Sequence, residues 1–498
     1  MVDRIKCVAE RFPDRIAYRV AGNEISYKEL WELSNKYSGY IRKQGVTPVM
    51  IYGHKSIGMM TAVLSCLLAG RAYVPVEAGT PLYRIKKIIG ATGASLMICE
   101  EAIGDAGAGD GTAAGTKVGR DNAFDGVKCV SLQELKDFAG SCESFCGQDA
   151  ESFDVEKSSG IAYMIFTSGS TGEPKGVPIS VGNLDNFASW ISGITPLCNY
   201  DGITVYNQAS FSFDLSVADL YYSLCNGHTL LSFAGNITDD YEGFFSVFKD
   251  ADVAVMTPSY MRLCLLDDYF NAENFPRFKC VYFCGERLEV KTVKKLFERF
   301  PDIRIINAYG PTECTSAVTA VLITKEMAET MPVLPVGEIK NAATEVEIRD
   351  GEIVLKGKSV FGGYIGGLQG GHFKEGDKDC YRTGDIGYIE DGLLFCKGRA
   401  DSQIKFMGFR IELLEIERNI NMLGGVRNSA VVACYDANGS VKAIKAYVEA
   451  EPFQDARAIK KGLEERLPYY MIPKTVKIVE CLPLNANGKI DRKALERL

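Results

Sequence analysis

The segment Tyr163-Met-Ile-Phe-Thr-Ser-Gly-Ser-Thr-Gly-Glu-Pro-Lys-Gly176 runs an apolar strand into a loop of small residues. Thr167, Ser168, Gly169, Ser170, Thr171 and Gly172 precede Lys175. Glycines and hydroxyls allow backbone N–H groups to converge on phosphate oxygens, and the lysine adds a point charge. The Walker A pattern cannot be threaded here, because Pro174 stands before the lysine. A plain surface turn would account for the glycines. It would not account for the threonine, serine and lysine gathered with them.

Four further segments carry similar chemistry. Asn307-Ala308-Tyr309-Gly-Pro-Thr312-Glu313 follows the apolar run Ile303–Ile306, and in open α/β sheets ligands bind where strand C-termini emerge. Tyr309 offers a face for a purine, while Thr312 and Glu313 offer oxygens to a phosphate-bound Mg²⁺. A Gly-Pro turn with a core tyrosine would read the same way. In Tyr381-Arg-Thr-Gly-Asp385, an aspartate after a tight glycine turn suits a pair of ribose hydroxyls, or simply a solvated turn. Gly398–Glu412 contains Arg399 and Asp401, and Asn487-Gly-Lys489 sets a lysine in a C-terminal glycine loop. In Phe211–Val217 the carboxylate of Asp214 lies among apolar neighbours, where it either caps a helix or needs a cationic partner such as a substrate ammonium.

The elements that must position these residues alternate. A helix, a strand pair (Ile16–Val20, Asn23–Ser26) and a helix from Tyr27 capped by Ser26 open the chain. Val49–Gly53, Ile57–Ala69 and Tyr73–Val76 continue as strand, helix and strand, and the pattern recurs to about Val360. This predicts an α/β fold with mostly parallel sheets in a large, multi-subdomain N-terminal domain, residues 1–400. From Gly351 short strands take over. Residues 401–498 then alternate helix and strand as a small α+β domain, with the break near Arg399-Ala-Asp401. Residues 103–126, rich in Gly, Ala and Asp, read as a surface excursion.

Composition narrows the function classes. The 498 residues exceed one compact core, and 46% hydrophobic with 24% charged residues is globular composition. A net charge of −8 leaves no basic footprint for nucleic acid or an anionic membrane. Sixteen scattered cysteines behind a charged N-terminus read as reduced thiols of a cytoplasmic protein. With three histidines and no C-x2-C pair, a structural zinc site is not expected. The longest apolar stretch, Met59–Val76, is broken by Gly70 and Arg71, so no membrane insertion is read.

Taken together and in order, the five phosphate, purine, ribose, hinge and C-terminal lysine segments resemble those of the adenylate-forming superfamily of acyl-CoA synthetases and peptide-synthetase adenylation domains. The likeness runs from Ile25-Ser-Tyr-Lys-Glu-Leu30 and Ala72–Val76 to Asn487-Gly-Lys489. It implies a large domain and a small mobile one with ATP between them. Thr167–Lys175 would wrap the β- and γ-phosphates, and Asn307, Ala308 and Tyr309 would border the adenine. Thr312 would touch the α-phosphate and Glu313 would help to hold Mg²⁺. Asp385 and Arg399 would take the ribose, and Asp401 would be the hinge. Lys489 would be the catalytic cation bridging substrate carboxylate and α-phosphate.

More closely, Ile51-Tyr-Gly-His54, Phe211–Val217 and Phe283-Cys-Gly-Glu286 resemble the D-alanine–D-alanyl carrier protein ligases. That resemblance implies Asp214 as the ammonium partner, and Cys284 packed against the substrate side chain to favour D-alanine. It also implies a phosphopantetheine-bearing carrier as partner and teichoic acid D-alanylation as the purpose. Glu77 and Ala308 depart from the usual residues, and the 361–380 loop is shortened. An adenylation enzyme for another small amino acid, or a catalytically silent nucleotide-binding homologue, are the other readings.

Overall fold

The computed structural model describes residues 1–45, 47–100, 124–141, 160–169, 173–194, 196–401, 403–436, 441–452, 454–483 and 490–497. Ser170, Thr171, Gly172 and Lys489, and all of the 103–126 excursion before Phe124, lie outside the described residues.

Runs of apolar residues too short for helices make the strands of two sheets. Every residue of Val49–Gly53, Val253–Met256 and Cys280–Phe283 is buried, as expected for parallel strands covered on both faces. An eight-stranded sheet runs in the order Thr319–Ile323, Arg304–Tyr309, Cys280–Phe283, Val253–Met256, Thr204–Asn207, Thr229–Ser232, Ile16–Val20 and Asn23–Ser26. It is parallel except at its two edge pairs. Met256 lies opposite Phe283, and Phe283 opposite Asn307, so the residues just after these strands come out side by side. A six-stranded sheet contains Val49–Gly53, Tyr73–Glu77 and Ile161–Thr167, with Lys175–Ser180 antiparallel at its edge. The phosphate-loop segment therefore joins two neighbouring strands. Helices cover the sheets. Tyr27–Lys43 starts at a capping box, in which Ser26 accepts from the Glu29 N–H and Glu29 accepts from the Ser26 N–H.

A third, antiparallel sheet corrects one expectation. Tyr381–Asp385 is not a tight turn but the middle of a long strand, Lys378–Glu390. Gly384, at φ +73, kinks that strand without ending its ladder, and Asp385 pairs in register with Arg399 of Leu393–Arg399. A Cβ at Gly384 would stand 2.7 Å from Arg399 Nη2. A side chain there would disturb the carboxylate and guanidinium that the register aligns.

After Asp401 a hairpin (Gln403–Phe406, Phe409–Glu412) leads to a helix, Leu413–Asn421. A sheet of Val426–Tyr435, Val441–Ala450 and Thr475–Ile478 follows. Ile404, Ile411, Ile416, Val431, Ala433 and Ile444 form its core on one face. Ala430, Val432 and Tyr447 point to the other face, where they meet Leu482, Ile490 and Leu495.

Candidate active site

The strand ends of the large sheet and the hairpin after Asp401 border a cleft. Asp214, Cys284, Thr312, Asp385 and Arg399 all line it, joined by Phe213, Ser316, Lys405 and Arg410. Five residues singled out from distant parts of the sequence thus share one cavity.

Asp214 is positioned at the start of helix Leu215–Asn226 but makes no side-chain cap bond. Its carboxylate accepts from Thr312 Oγ1 at 2.5 Å instead. The capping alternative therefore falls away. Burial pushes its pKa up to about 6, partly offset by the Thr312 hydroxyl and the Lys405 ammonium. Such a carboxylate is short of positive charge. Cys284 follows strand Cys280–Phe283, with Sγ 3.9 Å from the Ser316 carbonyl, and burial pushes its thiol up to about 12. It is an inert, apolar wall.

Tyr309 ends its strand with the phenol donating to Asp385 Oδ2 at 2.7 Å, and the Lys405 ammonium lies 5.8 Å from its ring centre. Arg399 donates to Asp385 at 2.9 Å and holds Asp401 through two N–H groups, at 2.7 and 2.6 Å. Asp385, Arg399 and Asp401 are thus one connected cluster. Asn307 turns its amide away, donating to the Pro335 carbonyl at 2.7 Å, and Ala308 is buried beside it.

Glu313 is fully buried. Arg410 Nη1 reaches its two oxygens at 2.8 and 2.6 Å, and Tyr364 donates to Oε1 at 2.6 Å. Burial alone would raise the Glu313 pKa, but Arg410 and Tyr364 hold it below the ordinary value. A buried carboxylate matched to a cation suits Mg²⁺, which needs one or two carboxylates when phosphates and water complete its shell. Here the Arg410 guanidinium supplies that positive charge.

The phosphate loop is engaged in the same way. Ser168 Oγ donates to the Arg410 carbonyl and accepts from the Glu412 N–H, each at 2.8 Å. The Gly169 N–H donates to Glu415 Oε2 at 2.9 Å, and Glu415 also pairs with buried Arg84 at 2.9 Å. The carboxylate of Glu415 thus sits on a donor suited to a phosphate oxygen. Thr167 is buried at the strand end, and Lys175 places its ammonium 5.3 Å from the Tyr364 ring centre. The hairpin tip seals the other side of the cleft. Gly408, at φ +85, donates its N–H to Glu286 at 2.7 Å, and a Cβ there would meet Thr257 at 2.7 Å.

Sequence reasoning passed over Lys405, Arg410, Glu415 and Tyr364. The first two lie inside the quoted 398–412 segment, but their partners are remote in the chain, and only the fold brings them together. Among the described residues no cluster of three or more His, Cys, Asp or Glu could hold a metal.

The cleft lies at the strand ends of a mostly parallel sheet, where α/β folds bind ligands, and a smaller C-terminal unit closes it. The chain matches the AMP-binding enzyme family over residues 5–365 and the C-terminal domain of AMP-binding enzymes over 415–489, and it belongs to that family. It is 39% identical to the D-alanine–D-alanyl carrier protein ligase of Listeria monocytogenes, covering 99% of this chain and 98% of that one. The Bacillus velezensis D-alanine–D-alanyl carrier protein ligase is 36% identical, with 99% and 98% covered. Among solved structures, the Vibrio cholerae adenylation domain AlmE, in complex with glycyl-adenosine-5'-phosphate, superposes with a TM-score of 0.80. It is 23% identical and the match covers 99% of this chain and 96% of that one, so it speaks for the fold alone.

Proposed function

We propose that this enzyme activates D-alanine with ATP as D-alanyl-adenylate, releasing diphosphate. It then transfers the D-alanyl group to the phosphopantetheine thiol of a carrier protein, in the cytoplasm, for D-alanylation of teichoic acids. The observation that carries this reading is the uncapped, buried carboxylate of Asp214 beside Cys284 in the cleft. It supplies a seat for an ammonium group next to a wall that leaves room for a methyl. Full-length identity to two D-alanine–D-alanyl carrier protein ligases supports it. Among the described residues no helix is long and apolar enough to cross a membrane.

In the first step a substrate carboxylate oxygen attacks the α-phosphorus of ATP and diphosphate leaves. The loop 167–175 binds the phosphates, Asp385 and Arg399 orient the ribose, and Tyr309 lines the base. Lys489 offsets the repulsion between the two anions. Mg²⁺, held by Glu313, would spread the charge on the phosphates. In the second step a thiolate attacks the acyl carbon and AMP leaves.

The arrangement described here belongs to the second step. Arg410 on Glu313 and Glu415 on Gly169 cannot coexist with a cation and phosphate oxygens on the same atoms. Ile490 packs on the face of the small sheet opposite the hairpin that closes the cleft. Forming the adenylate therefore requires residues 401–498 to turn about Asp401, which would bring the far face to the cleft.

An ATP–diphosphate exchange assay across D-alanine, L-alanine, glycine and L-serine tests the substrate, with loading of a phosphopantetheinylated carrier read by mass. D-Alanine is expected to give the fastest exchange. A faster competitor would make this an adenylation enzyme for that amino acid, and exchange with none would make it a silent nucleotide-binding homologue.

A further inference from the structure

Tyr364 is buried and touches Glu313, Tyr381 and Lys175 at once. Its hydroxyl donates to Glu313 Oε1 at 2.6 Å and lies 3.1 Å from the Tyr381 hydroxyl. Its ring face carries the Lys175 ammonium at 5.3 Å. The segment around it is fitted to this task. The Phe361 N–H donates to the Glu313 carbonyl at 2.8 Å, and the Phe361 ring meets the Tyr364 ring edge-on at 4.9 Å. Gly176, next to Lys175, lets Ile365 approach so closely that a Cβ would stand 2.5 Å from Ile365 Cδ1. Gly370 has no side chain where a Cβ would collide with the Tyr364 ring.

The consequence concerns the two oxygens of Glu313. While Arg410 is docked, its guanidinium holds both of them. When the C-terminal unit turns away, Arg410 goes with it, but Tyr364 precedes Asp401 and stays. One carboxylate oxygen is then pinned by the Tyr364 phenol, with Tyr381 alongside, and the guanidinium no longer competes with a cation for the carboxylate. The same ring fixes Lys175, so carboxylate and ammonium keep a set separation for the phosphates that must span them. Resting on the function proposed above, we propose that Tyr364 is a positioning residue for the metal-bound triphosphate, orienting Glu313 through its hydroxyl and Lys175 through its ring.

The test uses the full chain and the Tyr364→Phe variant, which keeps the ring and loses the hydroxyl. Mn²⁺ binding in the presence of α,β-methylene-ATP is followed by electron paramagnetic resonance, and AMP binding without metal by calorimetry. Losing a hydrogen bond to a charged acceptor should weaken Mn²⁺ binding about tenfold and leave AMP affinity unchanged. The Mg²⁺ requirement of exchange should rise in step, with kcat restored at saturating Mg²⁺. Tyr364→Leu should also raise KM for ATP, because Lys175 loses its ring. Gly370→Ala, which displaces the ring together with its hydroxyl, should weaken Mn²⁺ binding and raise KM for ATP together, with AMP affinity unchanged. Unchanged Mn²⁺ affinity in Tyr364→Phe overturns the proposal, and so does an equal loss of Mn²⁺ and AMP binding. Both are read independently of whether the parent enzyme exchanges with D-alanine, so a wrong substrate would not be mistaken for a wrong role.

Discussion

Replacing Arg410 with glutamine separates the two half-reactions. The guanidinium bonds both oxygens of a fully buried carboxylate, and its Nε donates to Gln403 at 2.9 Å. Removing one partner of a buried ion pair costs about 3–5 kcal/mol. Glu313 keeps its Tyr364 bond, so the lower end of that range applies. The molecule can relieve the stranded charge by undocking the C-terminal unit rather than by unfolding. About 3 kcal/mol against the docked arrangement lowers its population on the order of a hundredfold. Enzyme preloaded with D-alanyl-adenylate is mixed with phosphopantetheinylated carrier, and the loaded carrier is followed by mass on a rapid-quench timescale. Transfer should slow about a hundredfold while ATP–diphosphate exchange stays near the parent rate, because Arg410 has left Glu313 before the adenylate forms. Equal losses in both steps, or full-speed transfer, would refute the docking argument.

Three other outcomes follow from the cleft. Asp214, raised by burial to about 6, is neutral in both folded and unfolded chains below the ordinary carboxylate pKa, and its stability contribution is whole there. That contribution is lost as pH rises to about 6, so Asp214→Asn should melt higher than the parent at neutral pH, by up to about 3 kcal/mol, with the gap closing near pH 4. The parent's KM for the amino acid should climb as pH falls below 6, when the ammonium loses its carboxylate, and a flat profile would remove Asp214 from that role. Lys489→Ala should cut adenylate formation by about 10²–10³ with ATP affinity nearly unchanged, measured by exchange and by calorimetry. Cys284→Met narrows the wall beside Asp214 and should change the D- to L-alanine ratio in exchange; an unchanged ratio strips Cys284 of any selective part.

Much of the scaffold was legible because its signals are local. Ser26 sits three residues before Glu29, and the capping box that spacing announces starts the helix at Tyr27. The strands Val253–Met256 and Cys280–Phe283 are short apolar runs that nothing but a covered parallel sheet accommodates. Tyr381–Asp385 was misread for an equally local reason. Glycine followed by aspartate is turn chemistry, and the cross-strand register with Arg399 that makes it a kinked strand is a long-range fact. Asp214 was open between cap and ligand for the same cause, since Thr312 lies 98 positions away.

The residues hardest to read from sequence share a physical character that explains why. Arg410 brings a positive charge onto Glu313, and Glu415 brings a negative charge onto the Gly169 N–H. Each is an ordinary charged residue on a hairpin or helix, and each becomes meaningful only against the charge it replaces. A buried carboxylate and a buried backbone N–H are both costly to leave unmatched. The C-terminal unit supplies charges of the right sign at both points in a single rigid stretch, Arg410 to Glu415. On the function proposed above, the electrostatic demand that would bind a metal-bound triphosphate in the first step would hold the lobe closed in the second. Bound diphosphate with its metal, and the docked hairpin, would be alternative ways of satisfying one site.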